Sequence, residues 1–311
     1  MKRILITGGA GFVGVNLVAH LSALGGYRIS VLDDESLGER RYLEPFGARF
    51  MHGDIRDRKA LDTALDGQEV VVHLAADTRV IDSIENPRRN FDVNVVGSYC
   101  LLEACRAHGV HRVVAASTGG AILGEVPAPV HEEMVACPLA PYGASKLAME
   151  GYLSAFSAAY GMKCCALRFS NIYGPGSFHK GSVVAHFFKQ ILTAKELVVY
   201  GDGSQARDFL FVEDLVEGIR QAMGSDATGV FQLGSGRPTT INELLEIVRA
   251  VTNRPELPVR YAGFRAGEIH VTWCDIAKAR SAFDFSPRTS LPDGMARTWE
   301  WFHTYYGKAA S

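Results

Sequence analysis

The 311-residue chain lacks an excess of either charge: 32 Lys and Arg stand against 34 Asp and Glu, a formal net charge of −2. Such a balance leaves no electrostatic footprint for nucleic acid or an anionic membrane. Any polyanion it binds should be small and held by local groups. No apolar run approaches the ~18 residues that a membrane span requires. The six cysteines (Cys100, Cys105, Cys137, Cys164, Cys165, Cys274) form no C-x-x-C pair and no cluster with zinc spacing, so no metal site is expected. They read as free thiols in a reducing compartment. Glycines at 8, 9, 11 and 14 would break a signal-peptide helix, and a cytoplasmic protein is expected. There is no internal repeat and no low-complexity tract.

What the chain has is alternation. Short runs apolar on both faces, Arg3–Ile6, Arg28–Leu32, Arg49–His52, Val70–Leu74, Arg112–Ala115 and Lys163–Arg168, have the character of buried parallel strands. Helical patterns lie between them at Phe12–Leu24, Arg58–Leu65, Pro87–His108 and Tyr142–Tyr160. Strand, helix, strand in repetition implies βαβ units and a doubly wound α/β fold of Rossmann type. Gly174-Pro175-Gly176 breaks that rhythm. The expected division is a dinucleotide-binding domain over 1–170 and a smaller C-terminal α/β substrate-binding lobe over 171–311. Segments near 208–233, including the runs Phe209–Val212 and Val230–Leu233, are expected to return to the main sheet.

The first strand runs into Thr7-Gly8-Gly9-Ala10-Gly11-Phe12-Val13-Gly14. Gly8, Gly11 and Gly14 let the backbone turn and approach a pyrophosphate without a Cβ in the way. Phe12 and Val13 open a helix whose free N–H groups and dipole favour phosphate. The second strand ends at Asp33, nineteen positions past Gly14, where a carboxylate accepts ribose hydroxyls and repels a 2′-phosphate. NAD is therefore expected over NADP. Arg40 and Arg41 read as solvated surface charges. Asp54-Ile55, after the third strand, could meet the adenine, or Asp54 could cap a helix. Leu74, Ala75 and Ala76 end the fourth strand with room for a cofactor close to the backbone.

Tyr142-Gly-Ala-Ser-Lys146 places a phenol and an ammonium at i, i+4 on one helix face. A neighbouring cation favours the phenolate, which can then act as a general base toward a sugar hydroxyl.

With these motifs the chain resembles the extended short-chain dehydrogenase/reductase family, in particular its nucleotide-sugar epimerase/dehydratase group. The likeness rests on residues 7–14, Gly-Asp-Ile 53–55, His-Leu-Ala-Ala 73–76, Asn94, Ser-Thr-Gly-Gly 117–120, Tyr142 and Lys146, 168–175, and Gly-Asp-Gly-Ser-Gln-Ala-Arg-Asp-Phe 201–209. The resemblance implies a hydroxyl at the end of the fifth strand that bonds the reacting sugar hydroxyl. Its usual position is Gly119 here, so the role passes to Thr118, with Ser117 second. Leu123 also stands where relatives have a tyrosine. The resemblance further implies that Asn94 braces the lysine helix and that Asn171, Arg207 and Arg265 hold a substrate diphosphate. It places Ser182 and Val183 near the nucleotide, Val198 and Tyr200 against uracil, and Glu268 on the ribose. His179 and Lys180, in a loop expected to face the sugar, could serve a C6 carboxylate or simply be solvated.

Dehydratases of this group need an Asp-Glu pair directly after the catalytic threonine, and the chain has Gly119-Gly120. UDP-glucuronate decarboxylation needs a glutamate in the same loop, and none is there. The expected reaction is NAD-dependent 4-epimerisation of a UDP-sugar of glucose/galactose type, with UDP-glucuronate as the alternative. An NAD-binding member without turnover is the alternative of another class. The helices Pro87–His108 and Tyr142–Tyr160 carry apolar residues on more than one face, and a homodimer is expected.

Overall fold

The computed structural model describes residues 1–264 and 270–309. In chain order the elements are β1 (Lys2–Thr7), α1 (Phe12–Leu24), β2 (Tyr27–Asp33), β3 (Arg49–His52), α2 (Arg58–Leu65), β4 (Val70–His73), α3 (Val80–Glu85), α4 (Pro87–Phe91), a π-helical turn (Asp92–Val96), α5 (Gly97–Ala107), β5 (Arg112–Thr118), α6 (Pro141–Tyr160) and β6 (Lys163–Phe169). There follow β7 (Asn171–Tyr173), α7 (Val183–Leu192), β8 (Leu197–Tyr200), β9 (Ala206–Arg207), β10 (Phe209–Phe211), α8 (Val212–Gly224), β11 (Gly229–Leu233), β12 (Thr239–Thr240), α9 (Ile241–Thr252), β13 (Val259–Ala262), β14 (Val271–Thr272), α10 (Ala277–Phe283) and α11 (Leu291–Ala309).

Among the described residues, the main sheet has seven strands in the order β11-β6-β5-β4-β1-β2-β3. Every pairing in it is parallel. The order reverses beside β1, and the carboxyl ends of β1 and β4 open the crevice where such sheets bind ligands. Both faces of the central strands are covered, which is why they are largely apolar, whereas the edge strand β3 has no buried residue. Ile4, Ile6, Val31 and Val72 pack with Leu17, Leu21, Leu215 and Ile219 of α1 and α8. Leu5, Leu32, Val71 and Ala115 pack on the other face with Leu61, Leu101, Met149 and Leu153 of α2, α5 and α6.

A third apolar cluster lies in the smaller lobe. There Phe187, Phe188, Leu197, Phe209, Phe211, Leu244, Val248 and Phe302 close around Tyr173. One of the two returning runs joins the main sheet: β11 pairs with β6. The other does not. Phe209–Phe211 pairs with β7 in a separate two-stranded sheet, its three side chains buried, and Phe209 and Phe211 pack in the lobe. The long helix expected over Pro87–His108 is broken by the π-helical turn at Asp92–Val96. A turn of that kind carries an extra residue and re-aims side chains, and it contains Asn94.

Candidate active site

The glycine turn is shaped by close backbone approach. Gly8 has φ +70°, and a Cβ on it would lie 2.5 Å from the Ala75 nitrogen. A Cβ on Gly14 would lie 2.5 Å from the Cα of Gly9. The turn therefore locks β1, α1 and the Leu74-Ala75-Ala76 segment together. Gly11 is the N-cap of α1 and supplies no side-chain cap. The first-turn N–H groups around Phe12 and Val13 are thus not claimed by a side chain, the condition for receiving a phosphate. Asp33 is buried, and its two oxygens accept the N–H groups of Ala10 (2.9 Å) and Glu35 (2.8 Å). Burial nonetheless raises its pKa above the ordinary carboxylate value. Each oxygen keeps lone-pair capacity for a ribose hydroxyl. The residues present fit a dinucleotide.

Asp54 does not cap α2. That cap is Asp57, which accepts the Lys59 N–H at 2.9 Å. Asp54 instead accepts both the backbone N–H and the guanidinium of Arg56, and this pairing holds its carboxyl below the usual range. Adjacent Ile55 is buried and would meet any Cβ placed on Gly97.

Beneath the glycine turn runs a buried polar chain that motif reading did not find. Ala75 N–H donates to Thr7 Oγ1 (3.4 Å), which lies 2.8 Å from His73 Nδ1. His73 Nε2 lies 2.9 Å from Ser98 Oγ, which donates to the Asn94 carbonyl. Because Ser98 spends its proton on Asn94, Nε2 must be the protonated nitrogen, and Nδ1 accepts from Thr7. Burial, then the nearby Lys146, push the His73 pKa down to about 3, so the ring is neutral. The Asn94 side chain bonds the Asp77 backbone in both directions and donates to Ser145 Oγ at 3.0 Å. It thereby joins the π-helical turn to α6. The resemblance marked His73 and Asn94 singly; the links through Thr7, Ser98 and Ser145 had no sequence signal.

Tyr142 and Lys146 occupy the first turns of α6, where Gly143 permits entry: a Cβ there would meet the Ala121 carbonyl at 2.0 Å. Lys146 is 3% exposed and donates to the Ala116 carbonyl at 2.9 Å. Burial pushes its pKa down to about 8. Burial pushes Tyr142 up to about 12, opposed by a side-chain hydrogen bond from Thr118. Desolvation is the largest influence on the Tyr142 phenol and Thr118 opposes it, while the expected assistance to the phenolate combines Lys146 with the positive nicotinamide of NAD. Ser117, the second candidate hydroxyl, is turned away. Strand alternation sends it with Val113 and Ala115 toward α6, where it donates to Glu150 at 2.6 Å. The glycine at the usual hydroxyl position has a packing cause: a Cβ on Gly119 would lie 3.1 Å from Gln232 Oε1 and 3.2 Å from the Phe169 carbonyl.

In the lobe, one cavity is lined by Asn171, Ser182, Val183, Val198, Tyr200 and Arg207, together with Gln205, Phe209 and Ile241. These six residues, 36 positions apart at the extremes, are all the expected substrate residues that fall in the described segments. Arg265 and Glu268 lie outside the described residues. Arg207 donates to the carbonyls of Ala206 and His270. Ser182 caps α7 without a side-chain bond, and its Oγ is buried and has no hydrogen-bond partner. Gln205, which the sequence reading passed over, donates to the Tyr200 carbonyl at 2.6 Å. His179 is exposed near Glu39, whereas Lys180 turns inward, donating to the Ile172 carbonyl at 2.8 Å with its ammonium 5.4 Å over the Phe12 ring. Among the described residues no group of three His, Cys, Asp or Glu could hold a metal ion.

A dinucleotide cradle beside a Thr-Tyr-Lys cluster defines a redox enzyme site on a doubly wound sheet. The comparisons narrow the class: residues 4–234 match the model of the NAD dependent epimerase/dehydratase family, and the chain belongs to that family. It is 35% identical to UDP-glucose 4-epimerase of Mycolicibacterium smegmatis, covering 96% of this chain and 98% of that one. It is 32% identical to UDP-glucuronate 4-epimerase of Thermodesulfobacterium geofontis, covering 97% and 96%. The crystal structure of UDP-glucose 4-epimerase with UDP-glucose from Thermotoga maritima superposes with a TM-score of 0.93 at 36% identity, covering 98% of this chain and all of that one.

Proposed function

We propose that this enzyme interconverts UDP-sugars of glucose/galactose type by 4-epimerisation, with Tyr142, Thr118 and Lys146 as its catalytic residues. The observation that carries the reading is a Thr118 hydroxyl acting on the buried Tyr142 phenol, with Gly119-Gly120 directly after it: a proton-transfer pair is present at one hydroxyl, and an acid-base pair for elimination is absent from the next two positions. Tyr142 takes the proton of the C4 hydroxyl, and Thr118 holds that hydroxyl in line. Bound NAD supplies a hydride acceptor at C4 and the positive charge that favours the phenolate. Lys146 adds its ammonium on the same side. While the sugar is a 4-ketone, the nucleotide stays in the lobe cavity, with Arg207 on the diphosphate and Tyr200 and Val198 against the base. Arginine gives an always-charged, bidentate phosphate contact, and the uncapped α7 terminus with Ser182 offers further donors. After the sugar turns over, Tyr142 gives the proton back to O4, and NAD, when bound, would return hydride to the other face of C4.

A second reading, UDP-glucuronate, is favoured by Lys180, a cation drawn in from the loop to the dinucleotide turn. One experiment separates the two. Purified protein without added NAD is incubated with UDP-glucose or UDP-glucuronate, and the anomeric protons are followed by NMR. The C4 epimer of UDP-glucose is the expected product. Tyr142→Phe should lower turnover by about 10²–10⁴, and near-full activity in that variant would sink the mechanism. The NAD-binding, non-catalytic alternative requires no conversion of any UDP-sugar.

We also propose a homodimer through the α4–α5 and α6 helices. They expose Phe91, Tyr99, Tyr152 and Tyr160, with the Tyr99 and Tyr152 rings 5.4 Å apart. Sedimentation should give twice the chain mass. A cytoplasmic setting is consistent with six free thiols.

A further inference from the structure

The last residues of β5 engage α6 one after another. Ala116 accepts the Lys146 ammonium at 2.9 Å, Ser117 donates to Glu150 at 2.6 Å, and the Thr118 hydroxyl acts on the Tyr142 phenol. Residues 142, 146 and 150 are spaced i, i+4, i+8 and share one helix face. Three consecutive strand positions thus meet three consecutive turns of the helix, and only the Ser117–Glu150 rung has no part in the proposed chemistry. Glu150 is also gripped from β6. Arg168, which pairs with Ser117 across the β5–β6 ladder, donates Nε to Oε1 at 2.9 Å and an Nη to Oε2 at 2.8 Å. The two side chains are 4% and 5% exposed.

A buried ion pair is a poor device for stability alone, since desolvation cancels much of its attraction. This pair is not even fully satisfied: the other Arg168 terminal nitrogen is buried without a partner. Its position is what distinguishes it, one helical turn beyond the catalytic lysine.

We propose that Glu150, clamped by Ser117 and Arg168, is a positioning residue that sets the register of α6 on the end of β5 and supplies the buried negative charge that keeps Lys146 an ammonium. The inference rests on the reading of Tyr142 and Lys146 as the working pair. Other charged or titratable groups act from each side. His73 on β4 is neutral. Asp77, after β4, acts on Tyr142. Tyr142 lies on α6 itself, and Arg168 on β6 acts beyond the carboxylate. Glu150 is what opposes the burial of Lys146. The two members of the pair carry opposite charge, so removing them must move Lys146 in opposite directions. A purely structural pair would not behave so.

The test follows Lys146 ionisation by NMR of protein labelled with ¹³C at lysine Cε, the resonance being assigned by its loss in Lys146→Met. The NAD-loaded wild type is compared with Glu150→Gln and Arg168→Met, each checked for cooperative melting. Glu150→Gln should shift the titration to lower pH and Arg168→Met to higher pH, each on the order of one unit. Shifts in the same direction, or none, in folded variants overturn the proposal. If either charge variant fails to fold, Ser117→Ala decides, since it keeps both charges: kcat should fall about ten-fold with KM for UDP-glucose unmoved, and an unchanged kcat overturns the proposal. The titration needs no turnover, so a wild type that converts no UDP-sugar defeats the functional reading without deciding this one.

Discussion

The dinucleotide turn and the nucleotide cavity of the lobe are built from different materials. The turn is backbone: glycines pressed against neighbouring main chain, an uncapped helix end, and a carboxylate held by two N–H groups. The cavity is side chains from β7, β8, β9 and α7, elements of two to ten residues around an aromatic cluster. A backbone site cannot absorb an added Cβ, because the whole chain must move. A side-chain site tolerates exchange and changes what it binds. Under the proposed function, substrate specificity belongs to the lobe and cofactor binding to the sheet.

This contrast breaks most visibly at Gly8. Gly8→Ala needs a left-handed φ and places a methyl 2.5 Å from Ala75. The conformational cost alone is about 1–2 kcal/mol. The variant should melt several degrees lower and lose co-purifying NAD, read by calorimetry and by absorbance of the released nucleotide; retention of both would show that the turn is softer than its geometry. Arg207→Ala should leave melting nearly unchanged and raise KM for UDP-glucose roughly 10–100-fold, the worth of one or two charge-assisted bonds. If melting fell and KM held, the arginine would be scaffold rather than clamp.

Two pH experiments sharpen the seam between the regions. Lys146 is protonated below about 8, so kcat should decline as pH rises through that value, and a flat profile to pH 10 would exclude the ammonium from the step. His73 gives the smallest effect. Its folded pKa lies below its unfolded value, so its stabilisation is present above about 6.5 and is lost as pH falls toward 3. His73→Asn should be less stable at pH 8, with a shallower loss of stability between pH 6.5 and 4 by urea titration.

Legibility in the sequence followed the same division. Glycine spacing, an acid at a strand end and Y-x-x-x-K are local patterns, and the structure puts Gly8 and Gly11 in the turn after β1, Gly14 at the start of α1, Asp33 at the end of β2, and Tyr142 and Lys146 in the first turns of α6. Thr118 and Ser117 could not be separated by sequence, since adjacent hydroxyls look alike until strand alternation assigns each a face. Of the Asp54 alternatives, the helix cap fell to Asp57, and the Asp54 carboxylate also holds Arg56, whose reach depends on loop geometry. Gln205 lay inside the 201–209 motif without a role of its own, and Gln232 carried no motif.

The sequence by itself determined the doubly wound sheet, because burial on both faces writes itself into the central strands, and it determined the tight turn after β1, because only glycine permits it. The tertiary structure decided that Ser117 turns to Glu150, that Phe209–Phe211 leaves the main sheet for the lobe, that a π-helical turn aims Asn94 at α6, and that Arg168 clamps Glu150. Each of these depends on groups distant in the chain meeting at fixed distances, and a linear pattern holds no record of that.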